Sequence, residues 1–329
     1  VLMFVGNLAL GKRGGVESLG ASAVAPVITS SAPAAPAYGV AYSHTYTATG
    51  TLPITWSVTA GALPTGLSLD SGTGVLSGTP TASGAFSWTV TATNAAGTAD
   101  QAATATVTYL SKVKAIAGAN LVALYSLIGA SDPANDLSGN AYHGTISGAT
   151  PAGGAAVPFP EGGNSMLFDG INDYVDLPLL VGNLSSAAGT MLIWVRKAAW
   201  AVSNRVLIRY AATSIAQGLV DIYIRSGVPN KFESQFYGGG AGGARVTSSL
   251  STTDWICLMV TWRETDKARL WLDGVSQGLT ANPAGVWGTI ANATIGAGAA
   301  GATPILADIC MVMWADADLS ASAVALATP

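Results

Sequence analysis

Charge is scarce in this sequence. Only 10% of the 329 residues are Asp, Glu, Lys or Arg, whereas ordinary soluble domains carry about 25%. The formal net charge is -4, and no basic stretch is longer than a pair such as Lys12-Arg13. A nucleic-acid backbone would need a basic patch or stripe to bind. We therefore expect no nucleic-acid partner.

The scarcity is most pronounced between residues 24 and 110, where Lys and Arg are absent and the acids are Asp70 and Asp100. Isolated β domains usually protect their edge strands with charge, especially with Lys. Two interpretations remain open at this point. The domain has polar, uncharged edges that face solvent, or neighbours in an assembly cover those edges.

Cysteine and long apolar runs are also scarce. The two cysteines, Cys257 and Cys310, lie within apolar strand-like runs, which predicts buried free thiols rather than a disulfide framework. The first run, "VLMFVGNLAL", is too short to span a bilayer. Its basic pair follows it, whereas in a secretory signal the positive residues come first. We expect no membrane insertion and no signal peptide.

Groups for catalysis are few. The chain has only four glutamates, and none lies in the Glu-x-Asp-x-Glu pattern that would place a glycosidase carboxylate pair on one strand face. Glu264 and Asp266 alternate in "RETD", but they follow a predicted strand at a turn, which favours solvated charges. Its two histidines, His44 and His143, fall in different predicted domains, so a Ser-His-Asp triad would have to cross between them. No His, Cys and Asp cluster has zinc spacing. The sequence predicts a protein that is not an enzyme.

Residues 24–110 show the pattern of a small all-β domain. A proline-rich entry is followed by short β runs, in one of which Phe86, Trp88 and Val90 alternate with Ser and Thr. This alternation predicts a half-buried strand. The segment "GLSLDSGTGVLSGTPT", residues 66–81, places Leu and Val pairs between Ser-Gly and Thr-Gly turn signals, which predicts a hairpin. Five or more short strands over this length predict a β-sandwich.

Residues 118–329 continue as strands and turns. They include "LWLDGVSQG", a hairpin with Asp-Gly in its turn, and end in "LSASAVALA", which predicts a short helix. Eight or more strands with aromatic residues predict a two-sheet jelly roll. The remaining segments are an apolar N-terminal arm, residues 1–23, and a short linker, residues 111–117. The fold class is all-β.

Four tryptophans should fill these cores. We expect Trp88 between the sheets of the first sandwich, and Trp194, Trp262 and Trp314 facing inward on the jelly roll.

Two resemblances are specific. Residues 54–101, with a Trp strand, "LPTGLSLDSGTGVLSGTP" and a closing "TVTATNAAG", resemble the Ig-like domain of the cadherin-like group found in bacterial surface and phage proteins. The later order "LVALYSL", "DLSGNAYHGT", "FDGINDYVDL", "LWLDGV" and "ADICMVMW" resembles the laminin-G-like jelly roll of the concanavalin A-like lectin and glucanase superfamily. The first resemblance implies a spacer or display domain. The last strand is more apolar than this family's pattern, which suggests a covered face.

One candidate metal site is a calcium site. Asp136, Ser138 and Asn140 place oxygen-bearing side chains at alternate positions, as calcium loops do. The second resemblance implies one structural Ca²⁺ and acidic positions at Asp169, Asp173 and Asp308. We expect Asp136, Asn140 and Asp308 to hold the ion; the alternative is that these aspartates cap turns.

A candidate glycan site rests on aromatic residues near predicted loops: Trp200, Tyr210, Tyr237 and Trp287. Such rings could stack on a sugar, and core packing is the alternative.

The two resemblances together imply a display protein without catalysis. We expect a structural protein of a tailed-phage virion, such as a capsid decoration, head-fibre or tail-fibre subunit on the virion surface. Its arm would contact other virion proteins, and the chain would occur as a homo-oligomer or multicopy assembly that contacts host glycans. The alternative is a carbohydrate-binding module of a bacterial surface adhesin or polysaccharide-degrading system.

Overall fold

The structure is a computed structural model. It describes residues 22–129, 134–151, 153–159, 162–181, 183–184, 187–196, 205–212, 219–224, 231–237, 244–249, 254–263, 268–279, 290–297 and 305–329. Side chains of residues 219, 224, 231–237, 244–249 and 279 lie outside this description.

The first domain is a β-sandwich. Its strands are β1 (Val27–Ile28), β2 (Tyr42–Thr45), β3 (Ala48–Thr49), β4 (Thr55–Gly61), β5 (Leu67–Leu69), β6 (Val75–Gly78), β7 (Gly84–Asn94) and β8 (Gly97–Val107). One sheet has the order β2-β6-β5, the other has the order β4-β7-β8, and β1 pairs with β3. All pairings are antiparallel. The predicted all-β sandwich is confirmed for this part of the chain.

The core of this domain lies between its two three-stranded sheets. Trp88 is 2% exposed and its indole Nε1 donates to the hydroxyl of Tyr46, 3.2 Å away. The predicted hairpin pairs β5 with β6, with Leu67 opposite Gly78. A Cβ on Gly78 would lie 2.1 Å from the carbonyl oxygen of Gly66, so the close approach of these two segments requires glycine.

The predicted linker is mostly helical. Helix α1 (Tyr109–Ala117) is capped at its N-terminus by Thr108, whose side chain accepts from the backbone N–H of Ser111. Tyr109, Val113 and Ala117 are buried, and this spacing of four residues gives the helix one apolar face. Residues 111–117 therefore connect the domains as a packed helix rather than as an irregular linker.

The second domain consists of two larger sheets. Sheet I has the order β10-β12-β21-β14-β15-β16-β17, and sheet II has the order β11-β22-β13-β18-β19-β20, with β9 also paired to β22. The strands are β9 (Leu121–Ser126), β10 (Thr145–Ser147), β11 (Met166–Asp169), β12 (Tyr174–Asp176), β13 (Ala188–Arg196), β14 (Arg205–Ala212), β15 (Leu219–Ile224), β16 (Lys231–Tyr237), β17 (Ala244–Ser249), β18 (Ile256–Arg263), β19 (Arg269–Leu272), β20 (Val275–Leu279), β21 (Ile290–Ile295) and β22 (Leu306–Ala315). Helix α2 (Ala323–Leu326) follows.

Sheet II is covered on both faces. One face packs against sheet I in a core that contains Trp262 and Trp314, as predicted. The other face contains Leu192, Trp194 and Met313, and packs against α1, Phe159 and α2. This second layer explains why β22 is apolar along its length.

Trp194 corrects one expectation. It is 3% exposed but lies in the outer cluster, where its indole Nε1 donates to the hydroxyl of Tyr109 at 3.2 Å. It does not face the core between the sheets, because successive residues of β13 point to opposite faces of sheet II and both faces are covered.

Two further predictions are confirmed. Cys257 and Cys310 are buried free thiols. The hairpin β19–β20 turns at Asp273 and Gly274, which have φ angles of 46° and 77°, as a two-residue hairpin turn requires. Among the described residues, no helix is long and apolar enough to cross a membrane.

Candidate cleft on the outer face of sheet I

Sheet I differs from sheet II in what its outer face carries. Val175, Ile222 and Ile295 point into the core between the sheets. The residues that alternate with them are polar: Asp176 pairs with Thr294, Thr294 pairs with Arg209, and Arg209 pairs with Asp221. Residues paired across neighbouring strands share a face. A row of four polar residues therefore crosses the strands β12, β21, β14 and β15.

A cleft of about 390 Å³ lies at the β12 end of this row. It is lined by Tyr174, Asp176, Pro178, Val181, Ile290, Ala291 and Asn292. Asp176 and Ala291 are exposed, whereas Tyr174 and Asn292 are half-buried. A register shift near Ala291 places both Ile290 and Ala293 in the core and leaves Asn292 on the outer face. The cleft thus combines one aromatic ring, one carboxylate, one amide and an apolar wall.

The middle of the row is an ion pair. Arg209 Nη2 lies 3.3 Å from Asp221 Oδ2, and the two side chains are 24% and 2% exposed. The buried Nε of Arg209 has no hydrogen-bond partner among the described residues. Because Asp221 lies beneath the surface and Arg209 reaches it, the carboxylate fixes the guanidinium in position.

The predicted glycan contacts Trp200, Tyr237 and Trp287 stay predictions, because the structure does not describe their side chains. Trp200 and Trp287 lie outside the described residues, and Tyr237 is described only as the last residue of β16. Its register position is opposite Leu219 of β15. The prediction that Tyr210 contacts a glycan is wrong. This residue is fully buried in the main core, and its hydroxyl accepts from the backbone N–H of Leu184 at 3.1 Å.

The side chain of Asp136 caps the turn in which it lies. Asp136 Oδ1 accepts from the backbone N–H groups of Leu124 and Ser138, at 3.0 and 2.8 Å. Its Oδ2 accepts from the Ser138 hydroxyl at 2.7 Å and from the Tyr142 N–H at 3.0 Å. The side-chain amide of Asn140 donates to the carbonyls of Leu121 and Val122. Both side chains hold this loop to β9.

Asp308 of β22 binds other partners than Asp136 does. It pairs with Arg196 Nε at 3.2 Å and accepts from the backbone N–H of Ala155 at 3.3 Å. Within the described ranges, no group of three His, Cys, Asp or Glu side chains is placed to hold a metal ion. The calcium set of Asp136, Asn140 and Asp308 does not fit this geometry, since each side chain is committed to other partners.

Asp169 and Asp173 also form a local turn. Asp173 Oδ2 accepts from the backbone N–H of Asp169 at 2.6 Å, and Asp169 Oδ1 accepts from Ile171 N–H at 2.8 Å. Burial raises the pKa of Asp173, although the hydrogen bond from the Asp169 N–H opposes this shift. His143 is exposed, and its Nδ1 accepts from the backbone N–H of Asp136 at 3.2 Å, as expected for a turn residue. The side chains of all four glutamates lie outside the description.

The residues of the cleft and of the ion pair were not predicted from the sequence. One signal was available: Arg209 and Asp221 each interrupt an apolar strand run, "RVLIRYAA" and "LVDIYI". A charged residue within such a run indicates a strand face that is turned away from the core. No comparable signal marks Tyr174 or Asn292, because their proximity depends on the pairing of β12 with β21.

Family comparisons agree with the two domains. Residues 25–109 match the family model described as "Putative Ig domain", and residues 169–325 match the Laminin_G_3 model of the concanavalin A-like lectin/glucanases superfamily. The chain joins an Ig-like domain to a concanavalin A-like domain. The second match begins after β9 and β10, although both strands belong to the jelly-roll sheets. No curated protein matches the chain.

Several solved structures are similar. Domain 4 of AbnA, an extracellular GH43 arabinanase from Geobacillus stearothermophilus solved with arabinotriose, is 18% identical, with a TM-score of 0.49 over 63% of this chain and 98% of that one. The receptor-binding domain of botulinum neurotoxin type G is 13% identical, with a TM-score of 0.46 over 63% of this chain. The binding domain of Paraclostridial Mosquitocidal Protein 1 is 14% identical, with a TM-score of 0.47 over 63% of this chain. The chain spans about half the length of the last two.

Proposed function

We propose that the concanavalin A-like domain binds an oligosaccharide in the cleft of sheet I, and that it does so without catalysis. The observation that carries this proposal is the set of Tyr174, Asp176 and Asn292 around one cleft on the outer face of sheet I. The matched superfamily includes lectins and glucanases, and the alternating acids of the sequence, Glu264 and Asp266, follow a predicted strand at a turn, where we expect solvated charges rather than a hydrolytic pair.

The chemistry of the cleft suits a sugar. A carboxylate and an amide accept and donate hydrogen bonds to vicinal hydroxyls, and the tyrosine ring offers an apolar surface to the C–H face of a pyranose or furanose. Pro178 and Val181 extend this apolar wall. Such a combination of apolar lining and a few convergent polar groups is typical of small-ligand sites.

A glycan array tests the proposal. We expect the full chain to bind a defined group of glycans and Tyr174→Ala to lose the signal. The control is Val275→Ala, which removes an exposed aliphatic side chain on the β19–β20 hairpin, away from the cleft. No bound glycan for the wild type, or equal binding by Tyr174→Ala, would contradict the proposal.

We further propose that the chain is a structural protein of a tailed-phage virion, with the jelly roll displayed outward; a bacterial surface adhesin is the second candidate. The layout of the Ig-like domain supports a display role. The arm joins it beside the β7–β8 turn, where Val24 contacts Asn94. Helix α1 follows the other end of β8. Because β8 has 11 residues and a strand rises about 3.3 Å per residue, its two ends are about 35 Å apart. The domain thus separates the arm from the jelly roll.

Particle incorporation tests this second proposal. Deleting residues 1–23 should leave both domains folded and remove the chain from purified particles, because this apolar arm is the segment that we propose contacts other virion proteins. Unchanged occupancy of the truncated chain on particles would overturn the role assigned to the arm. A chain that is found only on bacterial cells would favour the adhesin.

A further inference from the structure

The arm end of the Ig-like domain exposes an apolar surface. Val24, Val27 and Leu52, here called the arm-end patch, are 61%, 59% and 80% exposed. They lie on two segments that run side by side: Val27 pairs with Thr49, and the backbone of Val24 bonds with Thr51. Single exposed aliphatic residues are ordinary, whereas three of them on two adjacent segments are a candidate surface for a partner.

The backbone beneath the patch is held rigidly. The side-chain amide of Asn94 donates to the carbonyls of Val24 and Thr51, at 2.7 and 2.8 Å. Its Oδ1 accepts from the N–H groups of Ala96 and Gly97. All the hydrogen-bonding groups of this one side chain therefore fix the two segments of the patch and the β7–β8 turn. A fixed apolar surface loses little conformational entropy when it binds.

The chain itself contains a matching segment. Residues 1–10, "VLMFVGNLAL", are apolar at eight of ten positions if Ala is counted, and join the patch through residues 11–23. At about 3.3 Å per residue, this connection can extend roughly 40 Å, which is enough to reach a neighbouring molecule. The charges are also compatible: the arm carries Lys12, Arg13 and Glu17, a net charge of +1, and residues 24–110 carry two acids and no cation.

We propose that the arm-end patch binds the apolar arm of a second copy of this chain, so that copies associate through exchanged arms. Each copy then gives one arm and receives one, and the absence of Lys and Arg from the Ig-like domain removes the repulsion that a basic arm would otherwise meet. This association is independent of the glycan cleft, which lies in the other domain.

Sedimentation analysis of the full chain tests the proposal. We expect concentration-dependent association for the wild type, and loss of association on deletion of residues 1–21 or in the double variant Val24→Ser/Leu52→Ser. The matched control is Ile171→Ser, since Ile171 is 76% exposed on the jelly roll. Unchanged melting of each variant shows that folding is intact. A monomeric wild type, or association that survives either change, would overturn the proposal.

Cysteine cross-linking identifies whose arm is bound. One chain carries Phe4→Cys and a differently tagged chain carries Leu52→Cys; the native Cys257 and Cys310 are buried and do not interfere. Mild oxidation of the mixture should give a product that contains both tags. If the arm folds back onto its own patch, the mixture gives no such product, and the proposal fails.

Discussion

At the scale of single residues, burial could be predicted from the sequence more reliably than the direction in which a residue faces. Trp88 is buried where the alternation of its strand placed it, and Trp262 and Trp314 lie in the core between the sheets of the jelly roll, as predicted. Trp194 is buried too, but on the opposite face of sheet II, because α1 covers that face. A strand that is apolar at every position carries no periodicity from which its two faces could be told apart.

His44 should make the stability of the Ig-like domain depend on pH. Burial lowers the pKa of this imidazole, and its Nε2 has no hydrogen-bond partner within the described part of the chain. The unfolded state therefore takes up the proton at a higher pH than the folded state does. The free energy of unfolding should fall as the pH drops below about 6.5, the ordinary value for histidine.

Calorimetric unfolding of the full chain between pH 7.5 and pH 5 measures this dependence. His44→Phe should weaken it for the Ig-like transition, whereas His143→Gln in the jelly roll should leave that transition unchanged. An Ig-like transition with the same pH dependence in wild type and His44→Phe would show that this histidine is not the cause.

Asp136 should stabilise the jelly roll as a turn cap, with or without calcium. Asp136→Ala leaves buried donors unsatisfied, including the N–H of Leu124, and one such donor costs about 1–3 kcal/mol. Denaturant unfolding in EDTA and in added Ca²⁺ should show the same loss. The control is Asp176→Ala, an exposed carboxylate. Calcium stabilisation of the wild type that disappears in Asp136→Ala would restore the metal hypothesis.

At the scale of elements, the predicted linker shows how local sequence can mislead. "SKVKAIA" is short and contains two lysines, and Tyr109 lies before it, at the end of the segment 24–110. The helical spacing becomes visible only when Tyr109 is read together with Val113 and Ala117. Lys112 is 6% exposed, burial lowers its pKa, and its ammonium donates to the carbonyl of Thr328 at 2.7 Å. Tertiary contacts, rather than propensity, account for this helix.

Tyr109→Phe tests how α1 is anchored. The Tyr109 hydroxyl accepts from Trp194 Nε1 and donates to the carbonyl of Leu326, while its ring stacks on Phe159 with centroids 4.4 Å apart. Phenylalanine keeps the stacking and leaves two buried polar groups unsatisfied, so we expect a loss of about 1–3 kcal/mol.

Urea unfolding of the full chain measures this loss, with Tyr38→Phe as the control on the Ig-like side of the junction. A change below roughly 0.5 kcal/mol for Tyr109→Phe, the lower end for an ordinary hydrogen bond, would show that packing alone holds the helix.

At the scale of the whole molecule, the order of the two domains and the all-β class could be predicted from the sequence, because the motifs of residues 66–81 and 166–176 are local. The cleft could not be predicted from the sequence. Tyr174 and Asn292 are more than 100 residues apart and meet only through the antiparallel pairing of β12 with β21. The residues that line the cleft are defined by which positions of β12 and β21 lie on the outer face of sheet I.

The most direct test of the cleft as the glycan site is a calorimetric titration of the full chain with an oligosaccharide that binds on the array. Asn292→Ala should weaken binding about tenfold, because one lost hydrogen bond is worth about 0.5–1.5 kcal/mol and 1.4 kcal/mol is a factor of ten. Asn164→Ala, an exposed amide before β11, should bind as the wild type does. Equal affinities for wild type and Asn292→Ala would contradict the assignment of the cleft as the glycan site.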